Sequence, residues 1–288
     1  MNGTAWQERY FESRDGLALY YRDYPAEESD RLPVLCLPGL TRNSRDFEAL
    51  ALRLQRAGRR VLTPDLRGRG RSQYDPNWSN YQPTTYLGDL AALQAAAGAE
   101  RVVVVGTSLG GLLAMLIAAT RPDAIAGAVL NDVGPEIASE GLQRIAQYVG
   151  RHTPVGSWEE AAAQARATYG LALPGLSDAE WLDFARRGYV EVDGVPRLDM
   201  DPMIGEAVRA APSGAAPDLW PVYGALRPLP TLAVRGEISD VLSEATFDRM
   251  AREKPDLRRV TVARRGHPPL LDEPECVVAI DEFLSAVP

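Results

Sequence analysis

The chain is poor in the residues that would announce several common classes of protein. Two cysteines, Cys36 and Cys276, among 288 residues are too few for a disulfide framework. Cys36 lies inside an apolar run and reads as a small core hydrophobe. No apolar run reaches the roughly 18 residues that cross a membrane; the longest, 109–119, reads as a buried helix. The opening stretch MNGTAWQERYFESRDG has neither the basic flank nor the apolar core of a secretory signal. Basic residues are also in deficit. Thirty-one Lys and Arg against 39 Asp and Glu leave a net charge of −8, which argues against a nucleic-acid partner because phosphate binding needs the opposite excess. Histidine is scarcest of all, with only His152 and His267, and two are too few for most metal sites. These absences lead to the expectation of a reduced, cytoplasmic protein with no membrane or nucleic-acid partner.

What is present is an alternating α/β rhythm. LALYYRDY (17–24), PVLCL (33–37), RRVLTPD (59–65), RVVVV (101–105) and AIAGAVL (124–130) are strand-like and are separated by helical patterns at about 44–58, 84–97 and 109–119. Continuous apolar strands alternating with helices imply a parallel sheet covered on both faces. The rhythm breaks after Gly134. Residues 135–224 read as helical, with capping-box signatures at Ser157/Glu160 and Ser177/Glu180. A small hairpin is expected around Asp193-Gly194. The α/β pattern then resumes with TLAVRG (231–236), a helix at 243–253, RRVTVA (258–263) and a final amphipathic helix. The expected organisation is one sheet domain, 1–134 and 225–288, interrupted by a helical insertion at 135–224. The RGRGR stretch at 67–71 reads as a solvated or salt-bridged turn.

The chemistry is concentrated in Gly106-Thr107-Ser108-Leu109-Gly110, which lies between the strongest strand and the most apolar helix. A tight strand-to-helix turn in this context projects a serine above the sheet and strains its backbone, while flanking glycines remove colliding Cβ atoms. The serine hydroxyl needs a base. His152 falls in a polar part of the insertion and reads as a surface residue. His267, in RRGHPPLLDEPE, follows the last strand at the same sheet edge as the serine, and the reading assigns it as the base. A carboxylate must orient it. The order Ser…Asp…His places that acid between 108 and 267, at Asp240 in the loop after 231–236; Asp132, ending AVLND, and Glu237 are the alternatives. Two backbone N–H groups should hold the developing oxyanion: that of Leu109 after the serine, and that of Leu40 in the Pro38-Gly39-Leu40 turn.

With LPGL (37–40), TPDLRGRGRS (63–72), GTSLGG (106–111), LNDVGPEI (130–137), RGEISDVLS (235–243) and RGHPPLLDEPE (265–275), the chain resembles the α/β-hydrolase superfamily over essentially its whole length. The resemblance implies a mostly parallel eight-stranded sheet, a helical cap after the sixth strand, and ester hydrolysis through an acyl-enzyme, with neither metal nor organic cofactor. The family often has His-Gly where this chain has Pro38-Gly39, which argues against branches that use that histidine chemically. Haloalkane dehalogenases and epoxide hydrolases attack with aspartate, and residue 108 is serine. Ring-cleavage carbon–carbon hydrolases commonly carry Trp after the catalytic histidine; here Pro268 follows. The expected partner is a small or medium apolar ester, with Trp158, Trp181, Tyr189 and Trp220, together with Tyr169 and Phe184, as candidates for the pocket. Carbon–carbon or enol-lactone hydrolysis is the alternative activity, and a non-catalytic binding module of the same fold is the remaining one. Oligomeric state, monomer or homodimer, stays open.

Overall fold

A computed structural model describes residues 5–26, 29–151, 153–210 and 218–287; His152 lies outside the described residues. The chain begins with β1 (Gln7–Glu12) and β2 (Ala18–Tyr24), then β3 (Val34–Leu37), α1 (Glu48–Arg56), β4 (Val61–Pro64), α2 (Pro83–Ala96), β5 (Val102–Thr107), α3 (Leu109–Thr120) and β6 (Ile125–Asn131). The insertion carries α4 (Ser139–Tyr148), α5 (Trp158–Tyr169), α6 (Asp178–Gly188), the hairpin β7 (Tyr189–Val192) and β8 (Val195–Leu198), α7 (Ile204–Ala210) and α8 (Trp220–Gly224). The sheet resumes with β9 (Thr231–Gly236), α9 (Glu244–Glu253), β10 (Arg258–Val262) and α10 (Pro274–Ser285). The sheet order is β1-β2-β4-β3-β5-β6-β9-β10. Only β1 and β2 run antiparallel to their neighbours, so the sheet is mostly parallel.

The continuous apolar strands follow from this burial. In β5, Val102 and Val104 join Leu35 and Leu37 of β3 in a core shared with α2 and α3. Val103 and Val105 join Val34 and Cys36 on the opposite face, against α1 and α10. A strand covered on both sides has no polar face to alternate. Each such side chain, fully buried, contributes about 1.5–3 kcal/mol. β1 escapes this logic. It is an edge strand on which only Phe11 is buried, and sequence periodicity does not reveal it.

In the insertion, Ser177 and Glu180 form a reciprocal capping box, and Ser157 accepts from the Glu160 amide. The β7–β8 turn puts Asp193 and Gly194 at φ 53° and 78°, the left-handed pair that a two-residue hairpin needs. α5 and α6 enclose a small core of their own, with Ala161, Ala165, Leu173, Trp181 and Phe184. α8 packs on α3, and its Tyr223 belongs to the main core.

The RGRGR stretch is salt-bridged, with Arg67 and Arg69 buried and Arg71 exposed against Glu8. Arg67 is buried and pairs with Asp75 and Asp89, both buried, and with the half-exposed Asp15. Arg69, also buried, donates Nε–H to the Leu40 carbonyl at 2.9 Å and an Nη1–H to the Tyr86 hydroxyl at 2.9 Å. Asp65 accepts the amides of Ser44 (2.7 Å) and Arg71 (2.9 Å). A Cβ on Gly70 would lie 2.1 Å from that carboxylate, so this position requires glycine. The buried charges thus tie the turn after β4 to the turn after β3. Removing one partner of a buried ionic cluster leaves the others uncompensated and costs about 3–5 kcal/mol. Arg67→Met should lower the free energy of unfolding by that amount, seen as a lower urea midpoint at an unchanged m-value; a loss under about 1 kcal/mol, the range of exposed pairs, would contradict the role assigned to this cluster.

Candidate active site

The serine predicted at the elbow is held as the motif requires. Ser108 has φ 52° and ψ −113°, a region that L-residues rarely enter and that the surroundings must enforce. The enforcement is visible at the two glycines: a Cβ on Gly106 would stand 2.3 Å from the Gly110 backbone, and one on Gly110 would stand 2.0 Å from the Leu37 carbonyl oxygen. The Ser108 amide donates to the Asn131 carbonyl at 2.9 Å, tying the elbow to the end of the neighbouring strand β6. α3 begins at Leu109, so that residue's N–H has no intrahelical acceptor. Gly39 lies directly against Ser108, with a built Cβ 3.8 Å from that of the serine. The Leu40 turn therefore borders the hydroxyl, and Arg69 fixes its carbonyl from behind.

His267 reaches the serine from the loop after β10. Its Nε2 is 2.9 Å from Ser108 Oγ, and its Nδ1 is 2.8 Å from Asp132 Oδ2. Asp132 is fully buried. Its carboxylate also accepts the Gly236 amide at 2.7 Å and the Ser239 hydroxyl. A carboxylate that accepts from these donors accepts from the imidazole Nδ1–H as well, which leaves Nε2 free to accept from the serine. Such a chain of hydroxyl, imidazole and carboxylate can draw a proton from the hydroxyl as it attacks an electrophile.

The carboxylate that meets His267 is that of Asp132, the alternative weighed beside Asp240, and not that of Asp240 itself. Asp240 makes a bidentate ion pair with Arg144 of α4, with Oδ1 2.8 Å from Nη2. That arginine holds its carboxyl below the usual carboxylate range. The chosen loop does reach the site, through the residue before: Ser239 turns inward to Asp132, and Asp240 turns outward to α4. Glu237 accepts the Arg264 amide at 2.7 Å and serves as a loop cap. Asp132 takes φ 56°, a conformation that Asp tolerates better than most residues, and this aims its side chain along the sheet edge.

Two supports escaped the sequence reading. The Asn131 amide donates to Thr107 Oγ1 at 3.0 Å and to the Pro269 carbonyl at 2.9 Å, joining the elbow strand to the histidine loop. Glu273 accepts the amides of Leu270 (3.1 Å) and Leu271 (3.0 Å) and the Arg265 guanidinium, closing that loop on itself. A polar residue next to the acid at a strand end, and a carboxylate six residues after the histidine, were the available signals.

The cavity above Ser108 is lined by Leu40, Ile145, Tyr148, Tyr169, Leu173, Phe184, Arg42 and Arg187, among others. Most of the aromatic residues expected to line it stand elsewhere. Trp181 is buried edge-on to Phe184 in the small core of the insertion. Trp158 donates to Glu191 at 3.0 Å on the outer surface. Trp220 donates to Glu136 beneath the Arg249 guanidinium. Tyr189 borders an adjoining cavity that shares Thr41, Tyr148 and Tyr169 with the first. The Thr41 and Tyr169 hydroxyls, 3.1 Å apart, stand between the two. Burial pushes the Tyr148 phenol well above its ordinary range, and Tyr169 beside it adds to this.

Comparison with known proteins agrees with this geometry. The family model described as the alpha/beta hydrolase family matches residues 34–280. A crystal structure of an alpha/beta hydrolase from Novosphingobium aromaticivorans is 48% identical, with 99% of each chain covered and a TM-score of 0.92. The 3-hydroxybutyrate-oligomer hydrolase of Cupriavidus necator is 31% identical, with 88% of each chain covered. The 2-(acetamidomethylene)succinate hydrolase of Mesorhizobium japonicum is also 31% identical at the same coverage. With its fold, its elbow and these relatives in agreement, the chain belongs to the alpha/beta hydrolase family.

Proposed function

We propose that this protein is a serine hydrolase that cleaves carboxylic esters of small molecules through an acyl-enzyme formed on Ser108. The observation that carries the reading is the continuous hydrogen-bonded chain Ser108–His267–Asp132 at the carboxyl edge of the sheet. In the reaction, His267 takes the hydroxyl proton as Ser108 Oγ attacks the ester carbonyl. The amides of Leu40 and Leu109 receive the negative charge that develops on the carbonyl oxygen. His267 then protonates the departing alcohol and afterwards activates the water that releases the acid. Asp132 keeps the imidazole in the tautomer and orientation these steps use. Residues 135–224 act as a cap, supplying Ile145, Tyr148, Tyr169, Leu173 and Phe184 as the apolar wall against which the substrate rests. The names of the two curated relatives, both hydrolases of small carboxylic compounds, support a small-molecule substrate.

Two experiments test the reading. A fluorophosphonate probe should label the protein, with labelling abolished in Ser108→Ala and retained in Ser285→Ala, an exposed serine near the C-terminus; labelling that survives Ser108→Ala would contradict the assignment. For the acid, Asp132→Asn should cut kcat/KM on a p-nitrophenyl ester by about 10⁴, the scale of losing the orienting carboxylate. Asp240→Asn, which removes one partly exposed ion pair, should stay within about threefold. The reverse ranking would return the acid to Asp240.

A further inference from the structure

The cavity over Ser108 is lined largely by apolar side chains; besides the hydroxyls of Thr41, Tyr148 and Tyr169 and the carboxylate of Asp46 it holds two arginines, and these differ in what they do. Arg42 is neutralised by Asp46, with Nε 2.7 Å from Oδ2, and its guanidinium lies over the Phe184 ring at 4.2 Å. Arg144, on the helix behind, is taken by Asp240. Arg187, in the last turn of α6, lines the same cavity. Among the described residues its guanidinium makes no hydrogen bond and no ion pair within 4 Å, and its Nε is buried without a partner. Its guanidinium carbon lies 5.7 Å from the Phe184 ring centroid. Arg187 also borders the open depression behind, which Asp183 and Asp272 line, and its charge attracts Asp272 at longer range. The backbone that carries it is pinned: its carbonyl accepts Asn43 Nδ2 at 3.0 Å and Arg45 Nε at 3.1 Å. A guanidinium is always charged and offers a planar fork matched to a carboxylate, and a buried donor left unpaired is costly.

We infer that Arg187 is a specificity-determining residue that receives a carboxylate of the substrate, so that the preferred substrates are acidic esters: half-esters of dicarboxylic acids or esters of hydroxy acids. This rests on the hydrolase reading above and narrows it. The apolar wall of Phe184, Tyr169 and Ile145 holds the chain between the two ends of such a molecule, with the scissile carbonyl at Ser108 and the free carboxylate at Arg187.

The test compares matched neutral and acidic esters. p-Nitrophenyl butyrate is set against the mono-p-nitrophenyl ester of glutaric acid, which carries the charge on the acyl side. Methyl butyryloxyacetate is set against butyryloxyacetic acid, which carries it on the alcohol side. The expected result is that Arg187→Met loses about 10- to 100-fold in kcat/KM on an acidic ester, the scale of a charge-assisted hydrogen bond. That loss should lie mainly in KM, with the neutral partner changed less than about twofold and part of it recovered in Arg187→Lys. No loss, or equal loss on neutral and acidic members of both pairs, overturns the carboxylate site and leaves the hydrolase reading intact, because that reading gives Arg187 no part in the reaction. If the unaltered protein turns over none of the four esters, the hydrolase reading fails. Calorimetry with glutarate then decides Arg187 separately: binding that is lost in Arg187→Met supports the site, and absent or unchanged binding overturns it.

Discussion

The position of one imidazole is the constraint on which the rest of the structure depends. His267 must meet a carboxylate with one nitrogen and a hydroxyl with the other, and the two partners sit at the ends of adjacent strands, Ser108 after β5 and Asp132 after β6. Parallel pairing sets their separation, because Gly106 faces Leu130 and Thr107 faces Asn131 in register. A slip of one residue would turn every side chain of β6 to the opposite face and remove Asp132 from the edge. The valine-rich strands therefore do more than fill a core. They fix the distance between Ser108 and Asp132.

Around that pair, the polar groups form supports rather than further reactive groups. Asn131 ties the elbow to the histidine loop, Ser239 fills the far side of the Asp132 carboxylate, and Glu273 folds the histidine loop back on itself. Behind the Leu40 turn, Arg69 holds the Leu40 carbonyl, and the Arg67 cluster holds Arg69's own loop. Charge that would be a liability in a core is tolerated because Arg67 is paired with carboxylates and Arg69 donates to backbone and phenol oxygens where the turn needs it. The insertion approaches from the other side: Gly266, next to the histidine, donates to the Ala172 carbonyl at 2.7 Å. The cavity walls and His267 are thereby coupled through one backbone contact.

The sequence made the sheet and the elbow legible because their physics is local. Four consecutive valines, a glycine on each side of Ser108 and an apolar helix beyond it state a buried strand, a forced turn and a packed helix without reference to anything distant. β1 was not legible, since an edge strand with one buried residue carries no periodic signal. The carboxylate that meets His267 was legible only as the alternative, Asp132 beside Asp240, because whether an aspartate in a loop turns toward a histidine or an arginine depends on what the insertion brings near it. Arg144 is 96 residues from Asp240. The placement of the aromatic residues of the insertion was hidden for the same reason. Tryptophans in a small helical unit stabilise that unit first, and only the faces left after its own core is formed can line a cavity.

The central claim is the hydrogen bond from the His267 Nδ1–H to Asp132, and the scarcity of histidine makes it directly observable. With two histidines in the chain, imidazole ¹⁵N labelling gives two ring systems, and His267→Gln assigns them. The account predicts a slowly exchanging low-field proton on Nδ1 of His267 that persists in Asp240→Asn and vanishes in Asp132→Asn. A proton that survives Asp132→Asn and is lost in Asp240→Asn would contradict it.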